Sequence, residues 1–340
     1  MLRLPRLRYV RAASVRDAVE TVATQPGAML IGGGTDLLPN LKRRQFDAPV
    51  LVSLRGVAGL ERIERDDPGG VTIGAGATLD AVAAHPLLQD GWRALARACG
   101  DVSTPQIRYM GTIGGNLMVD PRCNYYNQSE QWRKAVGYCM KRDGDLCLVA
   151  RSSPRCWAIS SSDSAPVAVA LDAQVTLEGM SGSRRVPVSA LYQDDGIAYT
   201  SKHPEEVITA LHLDRVPSRL TSAYWKLRRR GSFDFPILGV AIACWWDDGV
   251  VTRARGALGA VASHPVDISD YLAALSGARP TDDLLAQVAE AADKPSRPLD
   301  NADLSHYWRK RMTRVYIERA LREACGLAPL QGRLSAQVRA

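Results

Sequence analysis

Apolar residues at helical spacing form the first regular pattern along the chain. Beginning at Val15 they recur at i, i+3, i+4, i+7 and i+8, which places them on one face of a helix. Ser14 stands before this run and Asp17 follows three residues later, a pairing typical of a capped helix N-terminus. Short apolar runs at residues 29–31 and 49–52 predict two buried strands separated by a glycine-rich turn. These patterns predict a small α/β unit at the start of the chain.

Shorter elements follow from residue 57. Residues 71–78 predict a strand and a turn, with Thr78 as the N-cap of a helix that begins at Leu79. Three apolar segments predict strands of one antiparallel sheet, at residues 223–227, 237–246 and 251–258. Helices are predicted after that sheet at residues 268–275, 282–292 and 304–325. The chain thus divides into a first and a second α/β subdomain, a C-terminal domain and a tail, at residues 1–56, 57–217, 218–325 and 326–340.

Composition and charge then narrow the class of protein. A chain of 340 residues with 46% hydrophobic residues is globular and long enough for two or three subdomains. The net charge of +7 is spread along the chain, which fits solvated faces better than a nucleic-acid surface. The longest apolar run, residues 235–246, is too short to span a bilayer. Arginines interrupt the apolar residues of the N-terminus, so we predict no signal peptide and expect a cytoplasmic protein without a membrane span.

Two glycine-rich segments are the first candidates for ligand binding. Residues 32–36 follow a predicted strand, and residues 111–116 precede the cysteine-rich part of the chain. Glycines allow positive φ and let a ligand approach the backbone closely. The first segment is neither a Walker loop nor a complete Rossmann fingerprint, and a tight turn is the alternative interpretation. Two such segments with adjacent hydroxyl and amide side chains favour the two ends of an ADP-containing cofactor.

The sequences of these segments resemble a known family. Residues 31–37 (Ile-Gly-Gly-Gly-Thr-Asp-Leu) and 106–117 (Gln-Ile-Arg…Gly-Thr-Ile-Gly-Gly-Asn-Leu) resemble the two FAD loops of the flavin subunit of molybdenum hydroxylases, which include xanthine dehydrogenase and carbon monoxide dehydrogenase. Residues 254–261 and 307–309 resemble the C-terminal domain of that subunit. The resemblance implies an α+β protein: a PCMH-type FAD-binding fold of two α/β subdomains, followed by a three-stranded antiparallel sheet with a helical bundle.

The resemblance also assigns residues to FAD. The first glycine segment would wrap the pyrophosphate, and the second would hold the ribose and phosphate region. Asp163 would contact the ADP moiety and Lys226 would lie near the isoalloxazine ring. Two alternatives stay open, in which Asp163 is only a helix N-cap and Lys226 is an ordinary charge at a strand edge. The residues implied to bind FAD are Leu30, Ile31, Gly32, Gly33, Gly34, Thr35, Asp36, Thr78, Gly111, Thr112, Ile113, Gly114, Gly115, Asn116, Asp163 and Lys226.

Four of the seven cysteines lie in one stretch of the chain: Cys123, Cys139, Cys147 and Cys156. In a reducing compartment such a group indicates metal or iron–sulfur ligation rather than disulfides. The alternatives are a [4Fe–4S] cluster, a tetrahedral zinc site, and small buried side chains with no ligand. Zinc sites usually contain closely paired cysteines, and this stretch has none, so the spacing favours the cluster.

The cysteine-rich stretch has a resemblance of its own. Residues 121–129, 139–147 and 153–156 resemble the flavin subunit of 4-hydroxybenzoyl-CoA reductase, a reductive member of the family. This resemblance implies that residues 122–159 are an insertion in which all four cysteines hold a [4Fe–4S] cluster. It further implies a molybdopterin large subunit and a [2Fe–2S] small subunit as partners, in a dimer of heterotrimers. Catalysis would occur at molybdenum on another chain, so no catalytic residue is expected here.

The resemblance also implies how electrons reach this subunit. The implied route runs from a ferredoxin-like donor through the [4Fe–4S] cluster and FAD to the partner subunits. Six basic residues suggest that the insertion docks an acidic ferredoxin: Arg122, Arg133, Lys134, Lys141, Arg142 and Arg155. The alternatives are a flavin subunit of another molybdenum hydroxylase and a flavin-binding protein with a structural zinc loop.

Overall fold

The computed structural model describes residues 2–67, 69–216 and 219–329. Most of the predicted tail, residues 330–340, lies outside the described residues. Three sheets and eleven helices form this part of the chain. The helices are α1 (Val15–Thr24), α2 (Leu37–Lys42), α3 (Leu79–Ala84), α4 (Arg93–Gly100), α5 (Pro105–Arg108), α6 (Ile113–Leu117), α7 (Glu130–Ala135), α8 (Ser164–Ala170), α9 (Val188–Leu191), α10 (Asp282–Ala292) and α11 (His306–Ala324).

The first sheet has three parallel strands in the order β1-β3-β2. Its strands are β1 (Arg8–Arg11), β2 (Met29–Ile31) and β3 (Val50–Ser53). The central strand β3 is buried at every position. Helix α1 begins as predicted, because the Ser14 hydroxyl accepts a hydrogen bond from the Asp17 N–H at 3.1 Å. The Asp17 carboxylate in turn accepts one from the Ala13 N–H at 2.7 Å, which completes a reciprocal cap.

The second sheet has five antiparallel strands in the order β4-β5-β8-β6-β7. Its strands are β4 (Ile63–Arg65), β5 (Val71–Gly74), β6 (Gln174–Gly179), β7 (Gly182–Pro187) and β8 (Val207–Leu213). Strand β8 was not predicted from the sequence, although it lies at the centre of this sheet. The glycine loop at 111–116 and the cysteine-rich stretch both lie between β5 and its neighbour β8 in the sequence.

The third sheet is antiparallel, as predicted, but has four strands instead of three, in the order β12-β11-β10-β9. Its strands are β9 (Arg219–Leu227), β10 (Leu238–Asp247), β11 (Val250–Gly259) and β12 (Val266–Asp267). The unpredicted strand has only two residues, too few for an apolar pattern. The helix predicted at residues 268–275 is present as a 3₁₀ helix, Ser269–Leu275. Helices α10 and α11 pack on the sheet in a separate core, so the predicted fold class is confirmed.

The cysteine-rich stretch is closed at its base. Arg122 and Ile159 form a bridge in which each N–H donates to the other residue's carbonyl, at 2.9 and 2.8 Å. These two residues are the ends of the predicted insertion. In the described part of the chain, no helix has both the length and the apolarity needed to cross a bilayer.

Candidate functional site

An open cleft of about 1050 Å³ lies where the first glycine segment leaves β2. The carboxyl ends of parallel strands are the usual place for ligands in such sheets. Both glycine segments line the cleft, together with Asp163, part of the cysteine-rich stretch, and the loop that carries Phe233 and Phe235. Four residues implied to bind FAD do not line it: Thr78 and Gly114 line a smaller cavity instead, Ile113 is part of the apolar core, and the Lys226 side chain is buried against Asp163.

The two glycine segments pack directly against each other. A Cβ on Gly33 would stand 1.7 Å from the Met110 carbonyl oxygen and 2.9 Å from Gly111 Cα. A Cβ on Gly32 would stand 2.8 Å from the Thr112 hydroxyl oxygen. Glycine at position 33 is therefore required by the contact between the segments. Gly34 has a φ of 72°, in the region that favours glycine, so the tight turn is also present.

The second glycine segment is a short helix rather than a loop. Thr112 is the N-cap of α6, and its hydroxyl accepts from the Gly115 N–H at 3.1 Å. Thr78, which pairs with Thr112 in an isolated bridge, caps α3 as predicted by accepting from the Ala81 N–H at 3.1 Å. Each hydroxyl keeps its own hydrogen as a donor for a ligand.

Asn116 connects α6 to the start of α8. Its side-chain oxygen accepts from the Ser164 hydroxyl at 2.7 Å, the Ser162 hydroxyl at 2.9 Å and the Ser164 N–H at 3.1 Å. The serines at 162 and 164 are buried. Asn116 therefore fixes the position of the glycine segment relative to α8, and its side-chain NH₂ group remains as a donor.

A second, smaller cavity of about 220 Å³ lies beside the glycine segments. Apolar side chains line most of it, including Leu30, Leu54, Met118 and Ile208. It shares six residues with the large cleft: Leu30, Gly32, Gly33, Thr112, Gly115 and Met118. Ile208 was not predicted as a site residue because β8 was not predicted. Leu54 and Met118 were not predicted because isolated apolar residues beside a strand or helix carry no signal.

Asp163 and Lys226 form a buried ion pair. The Lys226 ammonium lies 2.9 Å from the Asp163 carboxylate, and the two side chains are 2% and 3% exposed. The Tyr224 hydroxyl donates to the same carboxylate at 2.6 Å, and Lys226 also donates to the Asp101 carbonyl at 3.0 Å. Burial raises the pKa of Asp163, while Lys226 and Tyr224 oppose that rise.

This ion pair excludes both alternative interpretations of its members. Asp163 occupies the N-cap position of α8, but its side chain makes no capping hydrogen bond; the Ser162 hydroxyl accepts from the Ala165 N–H instead. Lys226 belongs to an edge strand, yet its side chain points into the protein. The two side chains touch, so they lie at one place in the cleft wall, whereas the resemblance assigns them to opposite ends of FAD. Their individual roles therefore stay predictions.

Asp36 faces the cysteine-rich stretch. Its carboxylate lies 3.0 Å from the Arg122 guanidinium and accepts from the Asn40 amide at 2.8 Å. Burial raises the pKa of Asp36, and Arg122 opposes the rise. The Arg122 guanidinium also lies 4.0 Å from the centre of the Phe235 ring. Arg122 thus joins the glycine segment, the cysteine-rich stretch and the loop of the C-terminal domain.

The four clustered cysteines are all buried, with exposures of 4–8%. Cys123, Cys139 and Cys156 share one apolar cluster with Tyr126 and Ala158. Burial raises the pKa of the Cys123 thiol to about 12 and that of Cys156 to about 11, and the nearby Cys147 adds to the second rise. The Ala158 N–H donates to the Cys156 sulfur at 3.4 Å. Among the described residues, no group of three or more His, Cys, Asp or Glu side chains is placed to hold a metal ion.

Most of the six basic residues expected to dock a ferredoxin are engaged in contacts within the chain, and the docking itself stays a prediction. Four of its six residues are neutralised within the chain by nearby carboxylates: Arg122 by Asp36, Lys141 by Asp120, Arg142 by Asp47 and Arg155 by Asp194. Arg133 is 1% exposed and donates to the carbonyls of Arg43 and Arg44. Only Lys134 of the six is classed as exposed. A ferredoxin would therefore meet little of the charge that the sequence suggests.

Comparison with known proteins gives the same fold and identifies its family. Residues 5–215 match the FAD binding domain in molybdopterin dehydrogenase, and residues 222–324 match the CO dehydrogenase flavoprotein C-terminal domain. The aldehyde oxidoreductase FAD-binding subunit of Escherichia coli (strain K12) is 32% identical over 278 residues, 79% of this chain and 85% of that subunit. The carbon monoxide dehydrogenase medium chain of Afipia carboxidovorans is 28% identical over 321 residues, 93% of this chain and 96% of that one.

A solved structure agrees with these matches. Carbon monoxide dehydrogenase from Hydrogenophaga pseudoflava has a chain with a TM-score of 0.78 and 25% identity, over 95% of this chain and 99% of that one. The chain is therefore an oxidoreductase subunit that binds FAD, as predicted. The chain belongs to the family of FAD-binding subunits of molybdenum hydroxylases, with the xanthine dehydrogenase subunits and the carbon monoxide dehydrogenase medium chains.

Proposed function

We propose that this chain is the flavin and iron–sulfur electron-transfer subunit of a molybdenum-containing aryl-CoA reductase. It would pass single electrons from a ferredoxin-like donor, by way of a [4Fe–4S] cluster and FAD, to a [2Fe–2S] subunit and a molybdopterin subunit. The reaction on those partners would be the reductive dehydroxylation of 4-hydroxybenzoyl-CoA, a step of aromatic degradation. The resemblance of the cysteine-rich stretch to 4-hydroxybenzoyl-CoA reductase supports this substrate.

The two cavities fit the two ends of FAD. The apolar cavity of about 220 Å³ suits a planar base such as adenine, and the open cleft suits the isoalloxazine ring. The glycines that both cavities share, Gly32, Gly33 and Gly115, would lie along the pyrophosphate, where backbone N–H groups and the α6 N-cap residue Thr112 supply donors. Bound FAD would supply the means to exchange electrons one or two at a time.

One observation carries the iron–sulfur part of the proposal: all four cysteines are buried, and Cys123, Cys139 and Cys156 share an apolar cluster with Tyr126, which lines the cleft that FAD would occupy. A tetrahedral zinc ion would take the same four thiolates, each sulfur at about 2.3 Å from the metal. A [4Fe–4S] cluster is also held by four cysteines, but its four irons share them, so the sulfur atoms stand farther apart. A thiolate-ligated cluster can supply electrons at low potential. Cys123, Cys139, Cys147 and Cys156 would hold it.

Metal and flavin analysis of the anaerobically purified chain tests the proposal. About four irons, four sulfides and one FAD per chain are expected. Cys123→Ser should reduce the iron content strongly, whereas the matched control Cys99→Ser, which changes a buried cysteine in a different apolar core, should leave it unchanged. One zinc per chain, or no metal with FAD still bound, would refute the iron–sulfur part.

A second candidate is the flavin subunit of a different molybdenum hydroxylase, because the relatives include nicotinate dehydrogenase and xanthine dehydrogenase FAD subunits. The assembled complex decides between the two. If 4-hydroxybenzoyl-CoA oxidises reduced viologen dye, the complex is the reductase. If an N-heteroaromatic substrate reduces an oxidised dye and the CoA ester has no effect, the complex is the alternative hydroxylase.

A further inference from the structure

Lys141 carries a buried positive charge between the cleft and the cysteines. It follows Cys139 by two residues and sits in the turn that the Arg142 and Gly144 N–H groups close on the Cys139 carbonyl, at 2.8 and 3.1 Å. Its side chain is only 5% exposed. A buried ammonium is costly unless it is paired, so its partners show what the charge does.

On the cleft side, Lys141 pairs with Asp120. The ammonium lies 2.8 Å from the Asp120 carboxylate, and both residues line the cleft. Asp120 comes three residues after α6 and so is held by the second glycine segment. The ring of Tyr126 lies 4.9 Å from the ammonium and that of Tyr199 lies 6.0 Å away, which shields the charge from water.

On the cysteine side, Lys141 contacts the residue that packs against Cys156. The ammonium donates to the Gly196 carbonyl, and the Gly196 N–H donates to the Cys156 carbonyl at 2.9 Å. A Cβ on Gly196 would stand 2.8 Å from the Cys156 sulfur. Only a glycine therefore separates the ammonium from the sulfur region of Cys156.

We propose that Lys141 and Asp120 form a buried charge pair that sets the reduction potential of the group held by the cysteines. This inference rests on the proposed [4Fe–4S] cluster. Lys141 is a positioning residue in this proposal, since it acts through its charge and ligates nothing.

Electrostatics predicts in which direction each charge shifts the reduction potential. A reduced cluster carries one more negative charge than an oxidised one, so a nearby ammonium favours the reduced form and a nearby carboxylate opposes it. Burial limits the screening of both charges by salt. Removing Lys141 should therefore lower the potential, and removing the charge of Asp120 should raise it.

The two halves of the pair give a test of opposite signs. In Lys141→Met, the ratio of reduced to oxidised cluster at a fixed ambient potential should fall about tenfold, which for a one-electron couple is about 59 mV. In Asp120→Asn the same ratio should rise. Lys141→Arg should restore the wild-type value, and Lys134→Met, at the exposed lysine of the same stretch, should have no effect. Potentiometric titration followed by EPR at low and high salt measures all four variants, with iron and FAD content recorded for each.

The outcomes are distinct. If the two residues had only a structural role, Lys141→Met and Asp120→Asn would loosen the loop and shift the reduction potential in the same direction. That result would overturn the inference. Unchanged potentials in both variants with full iron content would also overturn it, while the proposed function would stand. Absence of iron from the wild-type chain would overturn the inference together with the iron–sulfur part of the proposed function.

Discussion

Gly33→Ala should force the two glycine segments apart. The new Cβ would start 1.7 Å from the Met110 carbonyl oxygen, and that separation must grow to at least 3.0 Å. The atoms it meets belong to the backbone of Met110 and Gly111, so no side-chain rotation relieves the contact. Extra atoms in a packed region lower the free energy of unfolding by about 1–3 kcal/mol. Because only backbone atoms are met here, we expect a loss of about 3 kcal/mol. At about 2–4 °C per kcal/mol, the Tm should fall by about 6–12 °C.

FAD binding should weaken in the same variant. N–H groups bind an oxygen only at distances of about 2.7–3.2 Å, so a backbone shift of more than about 1 Å breaks such hydrogen bonds. We therefore expect at least about a tenfold loss of FAD affinity. Flavin fluorescence titration and thermal denaturation measure the two effects. Gly231→Ala is the matched control, because its Cβ would meet nothing within 4 Å and its φ is ordinary. Wild-type Tm and FAD affinity in Gly33→Ala would refute the steric argument.

Three further changes test other buried groups. Lys226→Met should lower the free energy of unfolding by about 3–5 kcal/mol, because it leaves the buried Asp163 carboxylate without its partner. The double variant Lys226→Met/Asp163→Asn should regain part of this stability in chemical denaturation, and equal losses in the single and double variants would contradict the pairing. The Arg184 hydrogen bonds lower the pKa of Glu206, so the pair stabilises the fold above the unfolded pKa of about 4.3 and loses this effect as the pH falls through the lower folded value. Glu206→Gln should therefore cost about 1 kcal/mol at pH 7 and progressively less in acid, and a cost independent of pH would contradict this. Arg309→Met should cost at least about 3 kcal/mol, since it leaves the Ile237, Leu299 and Ala260 carbonyls without their donor; a cost under about 1 kcal/mol would show that water replaces it.

Local signals in the sequence were sufficient for local structure. The caps at Ser14 and Thr78 depend on residues three positions away, so the chain itself specifies them. The glycine segments were found for the same reason, because the run at 32–34 is unusual in any context. Strand β8 was missed because its pairing partners, β5 and β6, lie far away in the sequence and its own pattern is mixed.

Long-range pairing explains the errors about charge. Arg142 meets Asp47 across 95 positions, and Arg155 meets Asp194 across 39. A count of basic residues in one stretch cannot register carboxylates that the fold brings from elsewhere. Asp163 and Lys226 stand 63 positions apart, so their contact was equally invisible, and each was assigned a separate role.

The bridge between Arg122 and Ile159 has a consequence for the ancestry of the chain. Two hydrogen bonds bring the ends of the cysteine-rich stretch together, so the host fold meets that stretch at a base of fixed width. The entropy of closing a loop grows only slowly with its length, so a length change at residues of the stretch that do not contact the host costs the host little. Such parts of the stretch can thus grow or shrink in one genetic event, while the Lys141–Asp120 and Arg142–Asp47 ion pairs keep the stretch attached to the flavin fold.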